Sequence, residues 1–407
     1  MTTKWFKNIG PGPLVAAAFI GPGTVTVCTL AGVNFGYNLL WAMVLSIVAT
    51  IVLQEMAARI GIVSQKGLSE VIRQELKHPI ARTIVVVLIL SAIVVGNAAY
   101  EAGNISGGAL GLETIFDSSR VSFLGKDLKV MPLIIGFSAF LLLYYGNYKV
   151  LEKSLVALVI VMSLAFLITA VVTKPSIVEI LSGLIPSTPA NSILTIVGLI
   201  GTTVVPYNLF LHASLAKNKW KQKEDLKLAK KDTFLAVVLG GLVSMCIIIS
   251  ASAMVNQDIS NAADLAKSLE PLFGVYAKYV LAVGLFAAGI TSAITAPLAA
   301  AYVASGCLGW ESNLKSLRFR MVWMFILFLG VLFSVIGFKS IEIITFAQIA
   351  NGLLLPIIAG FLLWVVNKVS VMGKYTNSLF QNVLGVIILL IAIGLGLKVI
   401  LSVFKVI

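Results

Sequence analysis

An all-α membrane protein built from two inverted repeats is the fold class this sequence predicts, and three observations predict it. The 407 residues are 59% hydrophobic and only 12% charged, with a mean hydropathy of +1.02; a soluble domain is nearer half apolar and a quarter charged. Apolar runs of about 20 residues, long enough to cross the hydrocarbon layer, recur along the whole chain. Two of them, the first and the sixth, are interrupted by proline and glycine at corresponding places.

The runs lie near residues 12–33, 38–62, 82–112, 130–147, 153–173, 191–216, 233–255, 271–305, 321–338, 341–366 and 380–404. They predict eleven spans in one transmembrane domain covering residues 1–407. The net charge of +13 would suit a nucleic-acid partner, but its distribution points elsewhere. With the N-terminus placed in the cytoplasm, the inner segments collect Lys4 and Lys7, the group from Arg59 to Arg82, seven lysines between Lys217 and Lys231, and Lys315, Arg318 and Arg320. That asymmetry obeys the positive-inside rule, and an odd number of spans then leaves the C-terminus outside. No cleavable signal peptide is legible: the basic residues 1–11 lead into a run carrying a proline break, not a small-residue cleavage pattern. Cys28, Cys246 and Cys307 sit in or beside apolar runs and read as small packing residues, not a disulfide framework.

The interruptions carry the functional information. In "AAAFIGPGTVTVCTLAG" (16–32) the centre reads Gly21-Pro22-Gly23-Thr24, and in "GLIGTTVVPYNLFLHASLAK" (198–217) Gly201, Pro206 and Asn208 fall mid-span. Proline removes a backbone donor and glycine weakens a helix. Inside a bilayer, unwound backbone is tolerated only where it is buried in protein or lines a cavity. If spans 1–5 and 6–10 are two halves, about 12–173 and 191–366, with an extra helix at about 380–404, the breaks occupy the same position in each. Paired interruptions of this kind point to the binding site of an inverted-repeat transporter, where freed carbonyls coordinate a cation. The bland alternative is a pair of proline kinks.

Five stretches also carry a family resemblance: "GPGTVTVCTLAGVNFGYNLLW", "LQEMAARIGIVSQKGLSEVIR", "GTTVVPYNLFLHASL", "AAGITSAITAPLAAAYVASG" and "ITFAQIANGLLLP". Across nearly its whole length the chain resembles the Nramp (natural resistance-associated macrophage protein) family of proton-coupled divalent transition-metal transporters. The resemblance implies the LeuT-like fold, with two five-helix halves inverted about the membrane plane and one added C-terminal helix. It also locates departures. The family's Asp-Pro-Gly-Asn motif is Gly21-Pro22-Gly23-Thr24 here, so a metal-binding carboxylate is lost at Gly21 and an amide becomes a hydroxyl at Thr24. The family's Met-Pro-His is Val205-Pro206-Tyr207, so both the thioether and the imidazole are gone. Gln348 matches a glutamine that approaches the metal, and Asn351, one turn on, can line the same face.

Thioether sulfur favours soft and borderline ions over Mg²⁺ and Ca²⁺, and its loss at Val205 removes that preference. The donors left are the hydroxyls of Thr24 and Tyr207, the Gln348 amide and the freed carbonyls, with Thr202 counted among the site residues. An enlarged, all-oxygen, weakly charged site suits Mg²⁺, which dehydrates reluctantly and keeps several waters. The pattern resembles the Nramp-related magnesium transporters, a divergent branch lacking the transition-metal motif. Each residue keeps a plainer role: Thr24 can cap a half-helix, Tyr207 can pack, and Gln348 can bond a neighbouring helix.

Ionisable residues at membrane depth are functional candidates by default. Glu101 aligns with an acid of the family's proton route, and an aspartate that commonly precedes it there is Ala98 here. His212 matches a second histidine of the family's sixth span; it can relay protons or serve as a helix contact. Arg318 and Arg320 open the ninth span, where the family places the basic residues of its proton exit, and can equally be interfacial anchors. Glu55 and Arg59 have the i,i+4 spacing of an ion pair.

The expectation is a multi-pass cell-membrane protein that carries a divalent cation, Mg²⁺ foremost with Mn²⁺ also passing, with weak or no proton coupling. The cation is cargo and no cofactor is expected; nor is a nucleic-acid or obligate protein partner. No P-loop, HExxH or Ser-His-Asp set suggests an enzyme. The alternatives are a carrier of a small organic solute such as an amino acid, and a non-transporting sensor.

Overall fold

The computed structural model describes residues 20–116, 120–123, 126–146, 149–254, 257–336 and 338–403. The helices are α1 (Pro22–Phe35), α2 (Leu40–Ser64), α3 (Leu68–Glu75), α4 (Pro79–Ile115), α5 (Val130–Tyr145), α6 (Lys149–Val172), α7 (Ile177–Gly183), α8 (Ile193–Thr203), α9 (Pro206–Lys219), α10 (Leu226–Ala251), α11 (Ala262–Ala266), α12 (Glu270–Phe273), α13 (Ala277–Leu308), α14 (Leu317–Val335), α15 (Ser340–Val366), α16 (Val369–Met372) and α17 (Leu379–Val403). Among the described residues, nine helical stretches are long and apolar enough to cross a membrane, and Val130–Tyr145 is a shorter apolar helix. With α1, the described part of the first run, each of the eleven apolar runs maps onto helix. Residues 12–19 of that run, and Lys4 and Lys7, lie outside the described residues.

The all-helical expectation misses one element. Strands β1 (Arg120–Phe123) and β2 (Lys126–Lys129) form an antiparallel hairpin between α4 and α5, with Val121 opposite Leu128. It is too short to disturb the helical bundle.

α4 is the axis of the bundle, and α13, α14 and α15 all pack along it. Its composition explains why. In a bilayer no hydrophobic gain drives one helix onto another, so close approach of small residues takes its place. A Cβ added at Gly289 of α13 would stand 2.5 Å from the Gly108 Cα, and one at Gly107 would meet the Pro22 ring of α1 at 2.1 Å. Asn97 adds a polar tie, donating to the Ala296 carbonyl at 2.8 Å. Outward-facing side chains such as Val87, Phe328 and Leu390 remain exposed, as a lipid-facing surface requires.

The sixth run is broken where its sequence predicts. α8 ends at Thr203, Val204 (φ −96°, ψ 71°) and Val205 (φ −74°, ψ 121°) leave the helical region, and α9 restarts at Pro206. By contrast Pro297 and Pro356 lie inside unbroken α13 and α15. At the end of α2, Arg59 pairs with Glu55 at 3.0 Å. The same guanidinium donates to the Tyr375 carbonyl and to Asn377 Oδ1, tying α2 to the segment before α17.

The tightest of these crossings gives a test. At Gly201 a Cβ would lie 1.8 Å from the Gln348 carbonyl oxygen, whereas nothing lies within 4 Å of one at Gly360. Gly201→Ala is expected to destabilise the protein by about 1–3 kcal/mol through overpacking, and Gly360→Ala to leave it unchanged or slightly firmer. Thermal unfolding of the detergent-solubilised variants reads this out; equal melting points would contradict the α8–α15 packing.

Candidate ion-binding site at the helix breaks

The site begins with the backbone. Gly21 is extended (φ −86°, ψ 176°) and buried, and α1 starts at Pro22, whose missing amide hydrogen costs nothing at a first turn. At the second break the last closure of α8 runs from the Val204 amide to the Ile200 carbonyl at 2.8 Å. Pro206 has no hydrogen to give the Thr202 carbonyl four residues back. The carbonyls at the end of α8 therefore stand outside its ladder, at the negative end of its dipole. The Val205 carbonyl accepts the Asn208 amide at 3.0 Å and starts α9.

Side chains from the two breaks meet. Thr24 Oγ1 and Thr202 Oγ1 lie 2.8 Å apart, both buried. The helix cap at α1 is Gly21 and takes no side-chain bond, so Thr24 does not occupy the cap of that end, and it makes a contact across the breaks. Gln348 on α15 reaches the same place: a Cβ at Gly23 would stand 2.1 Å from its Nε2, so only glycine leaves room for the amide against α1. Gln348 Oε1 is buried without a hydrogen-bond partner among the described residues.

The remaining wall comes from α4. Tyr207 is 1% exposed, and its ring meets that of Tyr100 edge to face with centroids 5.3 Å apart. Asn351 Oδ1 lies 3.7 Å from where a Gly96 Cβ would stand, and its Nδ2 is buried without a partner. Val205, fully buried at the cap of α9, contributes its carbonyl and no polar side-chain atom. Thus Thr24 and Thr202 meet directly and Gln348 lies against their neighbours Gly23 and Gly201, while Tyr207 and Asn351 lie on the α4 side. Among the described residues no group of three or more His, Cys, Asp or Glu could hold a metal ion. A thioether does lie beside the break: Met43 of α2 faces the Thr203 hydroxyl at 3.8 Å.

The four ionisable candidates are not brought together. Glu101 is fully buried, accepts from Asn104 at 3.3 Å and packs against Gly330 of α14. Arg320 stands ten residues before Gly330, about 15 Å along the helix. Its guanidinium lies over the Tyr144 ring at 4.9 Å, and Arg318 over Trp310 at 5.6 Å. His212 faces α2, its Nδ1 sharing a hydrogen with Gln54 Oε1 at 2.5 Å.

The sequence marks Asn208 as part of the second break but not as a site candidate, and does not mark Gln54 at all. Asn208, one residue after Tyr207, is 1% exposed, and neither of its amide atoms has a partner among the described residues. Gln54, beside His212, is fully buried, and its Nε2 has no partner among the described residues. The signal for Asn208 was present, since a full amide at a helix break is costly to bury; nothing local marked Gln54 as the partner of a residue 158 positions away.

A helical bundle with one run broken at membrane depth, and polar side chains of two breaks joined beneath it, defines a membrane carrier of the LeuT-like inverted-repeat class. The comparisons make the family definite. The profile described as "natural resistance-associated macrophage protein-like" matches residues 12–402, and the chain belongs to this Nramp family. It is 29% identical over 408 residues to a divalent metal cation transporter, MntH, of Verminephrobacter eiseniae, covering 98% of this chain and 89% of the relative. The fold matches the crystal structure of the Eremococcus coleocola manganese transporter bound to an aromatic bis-isothiourea compound, with TM-score 0.78, 24% identity, and 99% and 88% of the two chains covered. More distantly it matches Mhp1, a nucleobase-cation-symport-1 family transporter, at TM-score 0.57 and 15% identity over 97% and 93% of the chains. The protein is accordingly a multi-pass membrane transporter and not an enzyme.

Gly23→Ala probes the site without threatening the bundle, because the methyl group meets only the far end of a flexible side chain. The melting point should hold while transport falls about tenfold or more, the penalty expected when a positioning group shifts by an ångström. Unchanged transport would remove Gln348 from the site.

Proposed function

We propose that this protein carries divalent cations across the membrane, Mg²⁺ foremost and Mn²⁺ also, through the neutral oxygen cluster at its two helix breaks. The observation that carries the reading is the meeting of Thr24, Thr202 and Gln348 with no carboxylate, imidazole or thioether among them. The family membership and the divalent-cation transport of its curated relatives support the cargo class. The donor set supports the choice within it. Borderline ions such as Mn²⁺ gain from sulfur and imidazole, whereas Mg²⁺ is satisfied by oxygen and keeps part of its hydration shell. A neutral site replaces few of those waters, so the ion is carried partly hydrated. The organic-solute alternative is not favoured, since relatives that match nearly the whole chain at 28–29% identity are divalent metal cation transporters, whereas Mhp1 shares only 15% of its residues.

The same reading sets the energetics. With Gly21 in place of the family's aspartate, no ionisable side chain contacts the ion. Proton and cation then share little interaction energy, and coupling needs both to bias one conformational equilibrium. The driving force is the membrane potential, about 4.6 kcal/mol per 100 mV for a double charge moving inward, twice the single-charge value. The N-terminus lies in the cytoplasm and the C-terminus outside, as the basic loops favour. Val205 and Asn351 complete the lining, and the repeats span about 12–173 and 191–366. Glu101, His212, Arg318 and Arg320 are remnants of a proton route and not a coupled relay.

Two outcomes follow in proteoliposomes. Excess Mg²⁺ should suppress Mn²⁺ uptake, and Mg²⁺ itself should accumulate; Mn²⁺ uptake that saturates at micromolar concentration and ignores Mg²⁺ would refute the magnesium assignment. With a pH dye inside, an inward Mg²⁺ gradient should leave internal pH nearly flat while a metal dye responds. Acidification that tracks Mg²⁺ and vanishes in Glu101→Gln would show coupling through Glu101.

A further inference from the structure

Four buried threonines bond locally: Thr50, Thr169, Thr203 and Thr291 each return the hydroxyl hydrogen to the carbonyl four residues back on the same helix, at 2.7–2.9 Å, while the hydroxyls of buried Thr26, Thr29 and Thr233 have no partner among the described residues. The local bond costs no tertiary arrangement. Thr202, one residue before Thr203 on the same last turn of α8, instead meets Thr24 at 2.8 Å, 178 positions away on α1. It is 1% exposed. The contact therefore depends on where the two broken helices sit.

Its surroundings are equally particular. Glycines flank both threonines: Gly23 lies against the Gln348 side chain, and Gly201 against the Gln348 backbone. The hydroxyl pair thus joins α1 to α8 beside Gln348 of α15, which lies against both. Each hydroxyl has one hydrogen and two acceptor positions. In the pair, one hydrogen is committed to the partner oxygen. A cation needs those oxygens turned toward it, and cannot be approached by the shared hydrogen.

We propose that the Thr24–Thr202 hydroxyl pair is the exchangeable closing contact of the transport site. It clasps the two breaks when no cargo is bound, and the incoming cation takes over the oxygens, so that Thr202 positions Thr24 for the ion and the pair helps set which cations enter. The inference rests on the cation reading given above and deepens it. A ligand shifts a conformational equilibrium only by its differential interaction with the two states. Here that difference is local: the clasped state offers the cation fewer free lone pairs than the parted state. An ion that holds oxygen weakly leaves the clasp closed, whereas a small doubly charged ion opens it and changes the spacing of α1 and α8. Cargo binding and movement at the breaks become one event.

The test joins a cross-linking arm to a kinetic arm. The full-length Cys28→Ala, Val27→Cys, Gly198→Cys variant, which keeps both threonines and pairs α1 with α8 where a Gly198 Cβ would stand 3.3 Å from Val27 Cγ1, is oxidised with copper phenanthroline in detergent, Cys28 being removed because it adjoins the probe. A 27–198 disulfide, read by mass spectrometry, should form readily without divalent ions and several-fold more slowly in millimolar Mg²⁺, but not in matched K⁺. In proteoliposomes Thr24→Val, Thr202→Val and the double variant should raise the KM for Mg²⁺ to a similar extent, because all three lose the same contact, and Thr202→Ser should recover most of the loss. A wild-type protein that carries Mg²⁺ while cross-linking ignores Mg²⁺, or valine effects that multiply as for independent ligands, would overturn the clasp alone. A wild-type protein that carries neither Mg²⁺ nor Mn²⁺ would sink the cation reading and the clasp with it. If the cysteine variant does not fold, the valine and serine series still decides.

Discussion

A peptide group inside hydrocarbon must find a partner within the protein, and the described architecture is organised around the place where α8 gives its ladder up. Between Thr203 and Pro206 the chain leaves the helix, and Pro206 can donate nothing to the carbonyl behind it. Such a gap is stable only if the surrounding helices exclude lipid from it. They do so by close approach: α15 lies against Gly201 of α8 and its own Gly352 against Val197 of α8, α4 lies against Pro22, and Tyr100 of α4 against Tyr207. The glycines of α4 and α13 that let those helices touch serve the same end, because α4 must sit on the axis to cover both breaks. Packing and site are one problem here.

What fills that protected gap decides the chemistry. The family scaffold is intact from residue 12 to 402, yet the side chains at the breaks are hydroxyls and an amide. A fold does not fix a cargo; the groups at the site do. Under the reading proposed above, all the positive charge arrives with the ion. Its compensation comes from carbonyl dipoles at the end of α8 and from retained water, not from a carboxylate. Glu101 lies one residue from Tyr100 but around the helix toward Gly330, so its buried carboxyl belongs to another face of α4.

Much of this was legible in the chain because it was written locally. Proline and glycine mark the second break to within a residue, apolar run length gives the spans, and the Glu55–Arg59 spacing gives the ion pair. What the sequence hid is what depends on two distant segments. The Thr24–Thr202 contact and the Gln54 partner of His212 require the helix approach that the glycine crossings set. Arg318 and Arg320 carry no local sign that Trp310 and Tyr144 would hold them. The β1–β2 hairpin was overlooked because its four-residue strands, rich in charge, fall below the length at which alternation is readable. The first break is described from Ile20 onward, and its symmetry with the second rests on the sequence and on the family fold.

The central claim is that a divalent cation binds among uncharged oxygens at the helix breaks. Anomalous diffraction from crystals soaked in Mn²⁺, with and without excess Mg²⁺, tests it most directly. The account predicts one peak bounded by Thr24, Thr202 and Gln348, touching their oxygens directly or through water, and weakened by Mg²⁺. A peak at Glu101 instead, indifferent to Mg²⁺, would contradict it.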